Sequence, residues 1–590
     1  MPLYQVTGNE YLSLPTIRET DGALEGLTLL HMGAKGLLEL NGGSMPLLRP
    51  LIRLAGAQAA LQGLQWRREA MWIPVASGDI SGVSLSIAYL CPIGERGFIL
   101  RLEAENRTPR PVEVWLGAAG QWTQTLHHVN ETLSLCGTRT QAGSLWNGAF
   151  VMQETAGLPL CAFAPIAEKG VTWTWGGGAF EGGRGSLLAP GETAFTELFF
   201  GVGYETVAAA TSAKHLLRLG YRRCHEETLA WLRARELPAV DPEIAALMNG
   251  NLLFAFFYAS GKTLDTEELC LMTSRSPRYY VSAAYWDRDS LLWAFPAILL
   301  VDAAYAREIL LYVFTRQIKN VGMHSRYIDG TLLEPGFELD ELCAPVIALE
   351  RYIAHTGDAA LLERACVREG LERIVRLLDE KRHPEIELYE TFLQPTDDET
   401  VYPYLTYDNA LVWRALNALG QWLEKPELLE RARRVRQAVY DHCVQDGQFV
   451  WSTDLSGHCD IYDEPPGSLQ LLPHYGFCES NDPLWQKTVR TIRSSQYRFS
   501  FAGQPIAEIG CLHAPHPWVL SICNSLLSGH AATALEHLKR TRMDNGLACE
   551  SVNEVTGECE TGEAFATCAG FLSYALYAAA CGERGLERKR

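Results

Sequence analysis

Through the first 200 or so residues, apolar and polar positions alternate with a period of two. Val83-Ser-Leu-Ser-Ile-Ala-Tyr-Leu, Gly97-Phe-Ile-Leu-Arg-Leu-Glu-Ala-Glu-Asn and Val112-Glu-Val-Trp-Leu-Gly show it, with Gly, Pro and Asn between such runs. This pattern puts one face of each strand in a core and the other in water, the signature of an antiparallel sandwich. Residues 188–200 read as the last hairpin strand. The run Gly176-Gly-Gly-Ala-Phe-Glu-Gly-Gly-Arg-Gly lacks the Gly-Lys-Ser/Thr ending of a phosphate loop, and no helical pattern follows it. It reads as a β-turn region.

The period then changes. Glu205 to Arg235 is helical in pattern, and Leu237-Pro-Ala-Val-Asp-Pro242 ends it. From 241 onward almost everything reads as helices joined by long loops, and the length admits about a dozen of them. That number suits a double ring of six inner and six outer helices. The chain is therefore expected to be multidomain: an antiparallel β-sandwich over 1–203, a helical linker over 204–240, and an all-α (α/α)6 barrel over 241–590. A solenoid array is the weaker alternative, since no short repeat is visible.

Composition narrows the function. The 590 residues are 47% hydrophobic and 21% charged, as in a well-folded globular chain, and the net charge is −19. That balance argues against nucleic acid and anionic membranes as partners, because phosphate recognition needs basic patches. A neutral carbohydrate substrate fits, and two domains with an acidic surface are compatible with a homo-oligomer. The N-terminus has no basic segment leading into an apolar one, and no run long enough to span a bilayer occurs. The 16 cysteines are scattered without a C-x2-C pair. They read as free thiols in a reducing cytoplasm, which makes the sequons at Asn106 and Asn130 accidental.

Four polar constellations fall at loops of the helical half. The stretch from Glu390 to Asn409 holds adjacent Asp397 and Asp398 among prolines and aromatic residues, and Asp408 or Asn409 is expected to cap the helix that follows. Trp286-Asp-Arg-Asp289 leads into an apolar helix. Phe337-Glu-Leu-Asp-Glu-Leu-Cys-Ala-Pro345 puts Asp340 and Glu341 at a helix mouth, where helix-terminal charge alone is a competing explanation. Glu550 lies between apolar neighbours and a turn. Loop acids among aromatic rings suit sugar chemistry, since aromatic faces stack on pyranose rings and burial can make a carboxyl a proton donor near neutral pH. His513-Ala-Pro-His516 is a poor metal pair, because the proline spoils helical spacing and further ligands are missing. No metal or other cofactor is expected.

The motifs Arg288-Asp-Ser, Phe337-Glu-Leu-Asp-Glu-Leu-Cys-Ala-Pro, Pro395-Thr-Asp-Asp-Glu-Thr-Val-Tyr-Pro-Tyr-Leu, His513-Ala-Pro-His-Pro-Trp and Glu550-Ser come in the order found in glycoside hydrolase family 125. The chain resembles that family over residues 280–580. Glu550-Ser-Val-Asn-Glu-Val-Thr-Gly is also similar to the base motif of glycoside hydrolase family 63. Tyr407-Asp-Asn-Ala-Leu-Val-Trp-Arg-Ala-Leu, with the large N-terminal β domain, is similar to glucoamylase and debranching relatives. Family 125 enzymes are metal-independent, inverting exo-α-1,6-mannosidases on an (α/α)6 barrel.

Carried over, the resemblance implies Asp397 as general acid and Glu550 as general base, with Asp398 the alternative acid. Arg288, Asp289, Asp340 and Asp398 would hold the non-reducing sugar. Tyr285, Trp286, Glu341 and His516 complete the expected binding set, with Tyr402 and Tyr404 as further stacking candidates and Glu390 and Glu399 as outlying acids. The implied activity is an inverting exo-glycosidase acting on an α-mannoside or α-glucoside. A sugar phosphorylase, a non-catalytic glycan-binding protein and an epimerase built on His324, His513 and His516 are the alternatives.

Overall fold

The computed structural model describes residues 3–129, 131–134, 138–144, 149–156, 158–176 and 178–581. These form two compact units. The first runs to Glu236 and takes in Ser260–Cys270 and Ser274–Ala283. The second comprises Leu237–Ala259, Leu271–Thr273 and the chain from Ala284 onward.

The first unit carries three antiparallel sheets of six, eight and five strands. Strand Gly97–Asn106 shows how the sequence builds them. It pairs with Val83–Leu90 on one side and Thr193–Gly203 on the other. Leu100, Leu102, Ala104 and Asn106 are buried while Arg101, Glu103 and Glu105 are half-buried, so the period-two pattern is a core face and a wetter face. Leu29, Leu38, Ile87, Leu100, Phe163 and Phe200 belong to one core cluster. The glycine-rich run, read as a β-turn region, is mostly strand: Gly176 ends strand Thr172–Gly176, and Ala179 to Gly185 lie within the antiparallel partner strand Ala179–Leu188. Asn106 is fully buried, donating to the carbonyls of Arg110 and Leu188 at 2.7 and 2.9 Å. A glycan has no access to it in this fold; Asn130 lies outside the described residues. The helical pattern over 205–235 is two helices, Thr206–Leu219 and Tyr221–Arg233, divided at Gly220 with φ of +78°.

In the second unit, Asp241 caps helix Pro242–Tyr258 by accepting from the Glu243 N–H at 2.9 Å. Pro242 stands at the first helical position, where its missing N–H costs nothing. The proline that ends one helical pattern therefore starts the next. This unit mixes largely buried helices, such as Leu339–Thr356, Thr406–Trp422, Val519–Leu527 and Ala566–Cys581, with helices buried along one stripe only: Ala365–Lys381, Pro426–His442, Pro483–Ile492 and Ala531–Leu538. An all-round apolar helix belongs inside and an amphipathic one outside. Gly570 permits the close approach of helix Ala566–Cys581 to Ala294, since a Cβ there would lie 2.6 Å from the Ala294 Cα.

Among the described residues no helix is long and apolar enough to cross a membrane. Cys91, Cys343, Cys511, Cys523 and Cys568 are buried free thiols.

Candidate active site

Three short strands, Ala284–Tyr285, Met323–Tyr327 and Leu332–Phe337, pair antiparallel in that order, with Tyr285 opposite Arg326. After the first of them the chain enters a π-helical turn, Arg288–Ala294, which continues as helix Phe295–Val301. π-turns within helices recur at functional sites. The carboxylate of Glu341, from the first turn of helix Leu339–Thr356, accepts the backbone N–H groups of Asp287 and Arg288, the latter at 2.8 Å. It thereby satisfies donors that the start of the turn leaves free. Arg326 reaches the same place, donating to Asp287 and, at 3.3 Å, to Glu341. The Tyr285 hydroxyl donates to the other Asp287 oxygen.

Arg288 is the centre of the cluster. Its Nη1 donates to Glu338 Oε2 at 2.6 Å and to Asp340 Oδ2 at 3.1 Å, and its Nη2 donates to Asp397 Oδ1 at 2.5 Å. His324 Nδ1 lies 2.6 Å from Glu338 Oε1 and 3.6 Å from Asp397 Oδ1. Asp289 accepts from the Thr567 hydroxyl at 3.0 Å. The side chains of Glu338, Asp340 and Glu341 are 0–1% exposed, whereas that of Asp397 is 36% exposed. Of the carboxylates around Arg288, Asp397 is the one that offers an oxygen to solvent.

The cluster is over-supplied with acid. Burial pushes Asp289 up to about 7, against the pull of Arg288 and with help from the Asp397 charge. Glu338 rises to about 7 for the same three reasons. Burial alone would lower His324, but its hydrogen bond to Glu338 and the charges of Asp397 and Glu338 raise it to about 9. The floor therefore holds protons as well as ion pairs near neutral pH.

Asp397 and Asp398 sit at the tip of a tight hairpin closed by the Leu393–Glu399 bridge and by the Gln394 N–H donating to the Asp398 carbonyl at 2.8 Å. Asp398 Oδ2 lies 3.4 Å from His513 Nδ1, a pairing that lowers the aspartate and raises the histidine. The charges of Glu550 and Asp397 add to the rise at His513. His513 thus stands in the field of both aspartates and of Glu550. Glu550 is 4% exposed; its carbonyl accepts from the Val519 N–H at 3.0 Å, and Ser551 beside it bridges to Trp518. The Trp518 ring meets His513 at 6.3 Å with a 62° tilt.

The expected site residues thus fall into two sets. Asp398 pairs with His513, which also feels the charges of Asp397 and Glu550, and Arg288 ties Asp397 to Asp340, with Asp289 alongside. Tyr285, Arg288, Asp340 and Glu341 lie buried; both Nη atoms of Arg288 donate to carboxylates, while its Nε has no hydrogen-bond partner among the described residues. Trp286 is buried with its ring edge-on to His324 at 5.5 Å, and Tyr402 lies over His458 at 6.4 Å. His516 instead faces Glu554 at 3.3 Å and Phe501 at 6.5 Å. The cap expected at Asp408 or Asn409 is corrected. The helix starts at Thr406 without a side-chain cap, and Asn409 is drawn off to Tyr389, whose N–H it accepts at 2.8 Å. Reading the sequence missed Glu338, Arg326, Thr567 and Glu464. Glu338 belongs to the quoted Phe337–Pro345 motif, so its acid next to Asp340 was a usable signal; the other three stand in stretches without one.

His324, Glu338 and Asp397 offer ligand atoms within 4.8 Å of one another, a donor set by type able to hold a divalent cation. Arg288 already places its guanidinium between Glu338 and Asp397, so both carboxylates are compensated by a protein cation.

Two cavities lie elsewhere. One of about 350 Å³ is lined by Arg49, Gln121, Trp175 and Phe180 in the first unit, and one of about 440 Å³ by Glu479, Trp485 and Leu526 in the second. Neither includes the carboxylates.

Residues 384–576 match the family described as metal-independent alpha-mannosidase (GH125). The Meiotically up-regulated gene 157 protein of Schizosaccharomyces pombe is 23% identical over 286 residues, which are 38% of this chain and 56% of that protein. The match therefore spans little more than half of that relative. In three dimensions the chain is similar to a bacterial glucoamylase complexed with acarbose, with TM-score 0.67 and 12% identity over 99% of this chain and 93% of the other. It is also similar to a putative kojibiose phosphorylase from the human microbiome, with TM-score 0.61 and 9% identity over 97% and 86%. At such identities the likeness is one of fold. Over residues 384–576, the segment that carries the Asp397 turn, His513 and Glu550, the chain is GH125-like.

Proposed function

We propose that the protein is an inverting, exo-acting glycoside hydrolase that releases an α-linked mannose or glucose from a non-reducing end. The observation that carries this reading is the contact of Asp398 with His513 beside the partly exposed Asp397, with the charge of Glu550 acting on the same histidine. Asp397 donates its proton to the glycosidic oxygen, and Glu550 takes a proton from the water that attacks the opposite face of the sugar. Inversion needs space for that water, with the two carboxyl groups about 6.5–9.5 Å apart. Each proton transfer contributes on the order of 10²–10⁴ in rate. Asp398 and His513 hold the sugar hydroxyls beside them. The buried Arg288 cluster forms a closed, charged floor under Asp397, which suits a site that admits only a chain end. The presence of both largely buried and amphipathic helices supports the (α/α)6 barrel, and the three sheets support the β-sandwich.

The same fold occurs in a putative phosphorylase. An inverting phosphorylase needs phosphate, not a carboxylate, on the far face, and Glu550 favours water. Proton NMR of the anomeric signals during turnover of α-mannosides and α-glucosides tests the reading, with and without phosphate and with Asp397→Asn and Glu550→Gln alongside. Release of the β-anomer without phosphate, lost in both variants, is expected. Retention of configuration, strict phosphate dependence, or active variants would overturn it.

A further inference from the structure

Asp397 has φ of +69°, the left-handed region that costs a side-chain-bearing residue on the order of 1–2 kcal/mol. A turn held in that conformation needs something outside itself to fix it. Its own hydrogen bonds, Asp397 N–H to the Gln394 carbonyl and Gln394 N–H to the Asp398 carbonyl, both 2.8 Å, close the loop but do not anchor it to the unit. Arg288 holds the Asp397 side chain and His513 lies against that of Asp398; at Thr396 the turn is held by Glu464. Its Oε1 accepts the backbone N–H of Thr396 and its Oε2 accepts the Thr396 hydroxyl, both at 2.9 Å, and it is fully buried.

Glu464 is itself held. The neighbouring Asp463 accepts from the Leu469 N–H at 2.7 Å and the Ser468 hydroxyl at 2.6 Å, and the Tyr497 hydroxyl donates to the Asp463 carbonyl at 2.6 Å. Asn524 Nδ2 donates to the Pro465 carbonyl at 2.8 Å. Burial pushes the Glu464 carboxyl well above the usual carboxylate range, and both of its oxygens are committed to one threonine next to the Asp397–Asp398 turn.

We infer that Glu464 is a positioning residue for the reaction: acting through Thr396, it fixes the strained Asp397–Asp398 turn so that the carboxyl groups keep their aim. It touches no substrate. This rests on the reading of Asp397 as the proton donor. A displacement of about 1 Å at such a group costs on the order of 10²-fold in rate.

The experiment joins two readouts on the full-length protein. Amide hydrogen exchange by mass spectrometry follows the peptide that covers 394–399 in wild type, Glu464→Gln, Thr396→Val and the double variant. Kinetics are measured on the same four proteins, with Thr396→Ser as the conservative rescue. Expected are at least tenfold faster exchange confined to that peptide in both single variants, kcat down roughly 10²-fold with KM within about threefold, and wild-type behaviour in Thr396→Ser. The double variant should be no worse than the poorer single one. Unchanged exchange in Glu464→Gln, or losses that add in full, overturns the inference. If wild type hydrolyses no glycoside, the functional reading has failed while exchange still decides whether Glu464 holds the turn. Should Glu464→Gln unfold, Thr396→Val carries the same comparison.

Discussion

Arg288 and Asp397, far apart in sequence, meet as a charge-assisted pair, with Nη2 donating to Oδ1 at 2.5 Å. The arginine side chain is 2% exposed and the aspartate 36%. One partner is rooted in the interior and the other looks out, so the pair links the buried charge network to a carboxylate that a ligand can reach.

Replacing Arg288 by Met should therefore remove activity and stability together. Glu338 and Asp340 would be left buried without their cation, at a cost of about 3–5 kcal/mol. With the arginine gone, the carboxyl groups of Glu338 and Asp289, already raised by burial, rise further above their unfolded values. Stability is then retained at low pH and lost as pH climbs through those raised values. Urea unfolding at pH 5.5 and 8 should show the larger deficit at pH 8; an equal deficit would mean that the acids do not titrate in the fold.

His513→Gln tests the pairing with Asp398. The pair pushes the histidine above its ordinary value and the aspartate below. Its contribution is present between the two, fading as pH falls through the lowered aspartate or rises through the raised histidine. The alkaline limb of kcat in wild type should flatten in the glutamine variant. A limb that stays where it was assigns that titration to another group.

Asp408 is fully buried in the first turn of helix Thr406–Trp422, and neither of its oxygens has a hydrogen-bond partner among the described residues. Burial, with the charges of Asp340 and Glu338, pushes its carboxyl well above the usual range. A raised carboxyl costs stability as pH passes upward from the unfolded value, so Asp408→Asn should raise Tm, and more at pH 8 than at pH 5. A lower Tm at pH 8 would show that the ionised carboxylate is needed.

Gly467 packs against Pro395, next to the Asp397–Asp398 turn. A Cβ there would meet Pro395 Cγ at 2.5 Å and Tyr407 Cε1 at 2.9 Å. Gly467→Ala should shift the hairpin and lower kcat by about tenfold or more, with a smaller loss in thermal stability. Unchanged kinetics would show that the turn tolerates displacement.

The sequence made the two structural regimes legible because period-two and helical periods are local: Gly97–Asn106 announces its own two faces. The aspartate pair was equally visible, since prolines and adjacent acids stand out in any loop. What stayed hidden depends on partners distant in the chain. Nothing around Thr396 points to Glu464, 68 residues on, and nothing around Asp289 points to Thr567. The cap at Asp408 or Asn409 failed because a competing acceptor need, the Tyr389 N–H, outbid the helix terminus for Asn409. His516 looked equivalent to His513 in sequence; only the fold turns one toward Asp398 and the other toward Glu554.

The contacts of Arg288 come from three stretches: its own turn, residues 338–340, and Asp397. No fragment ending between 341 and 396 contains the whole set, and any such fragment would have to bury acids whose compensation is incomplete. The charge network is therefore complete only in a chain that extends to Asp397. Splitting, permuting or grafting this half of the molecule should accordingly succeed at chain breaks outside 288–397 and fail within them.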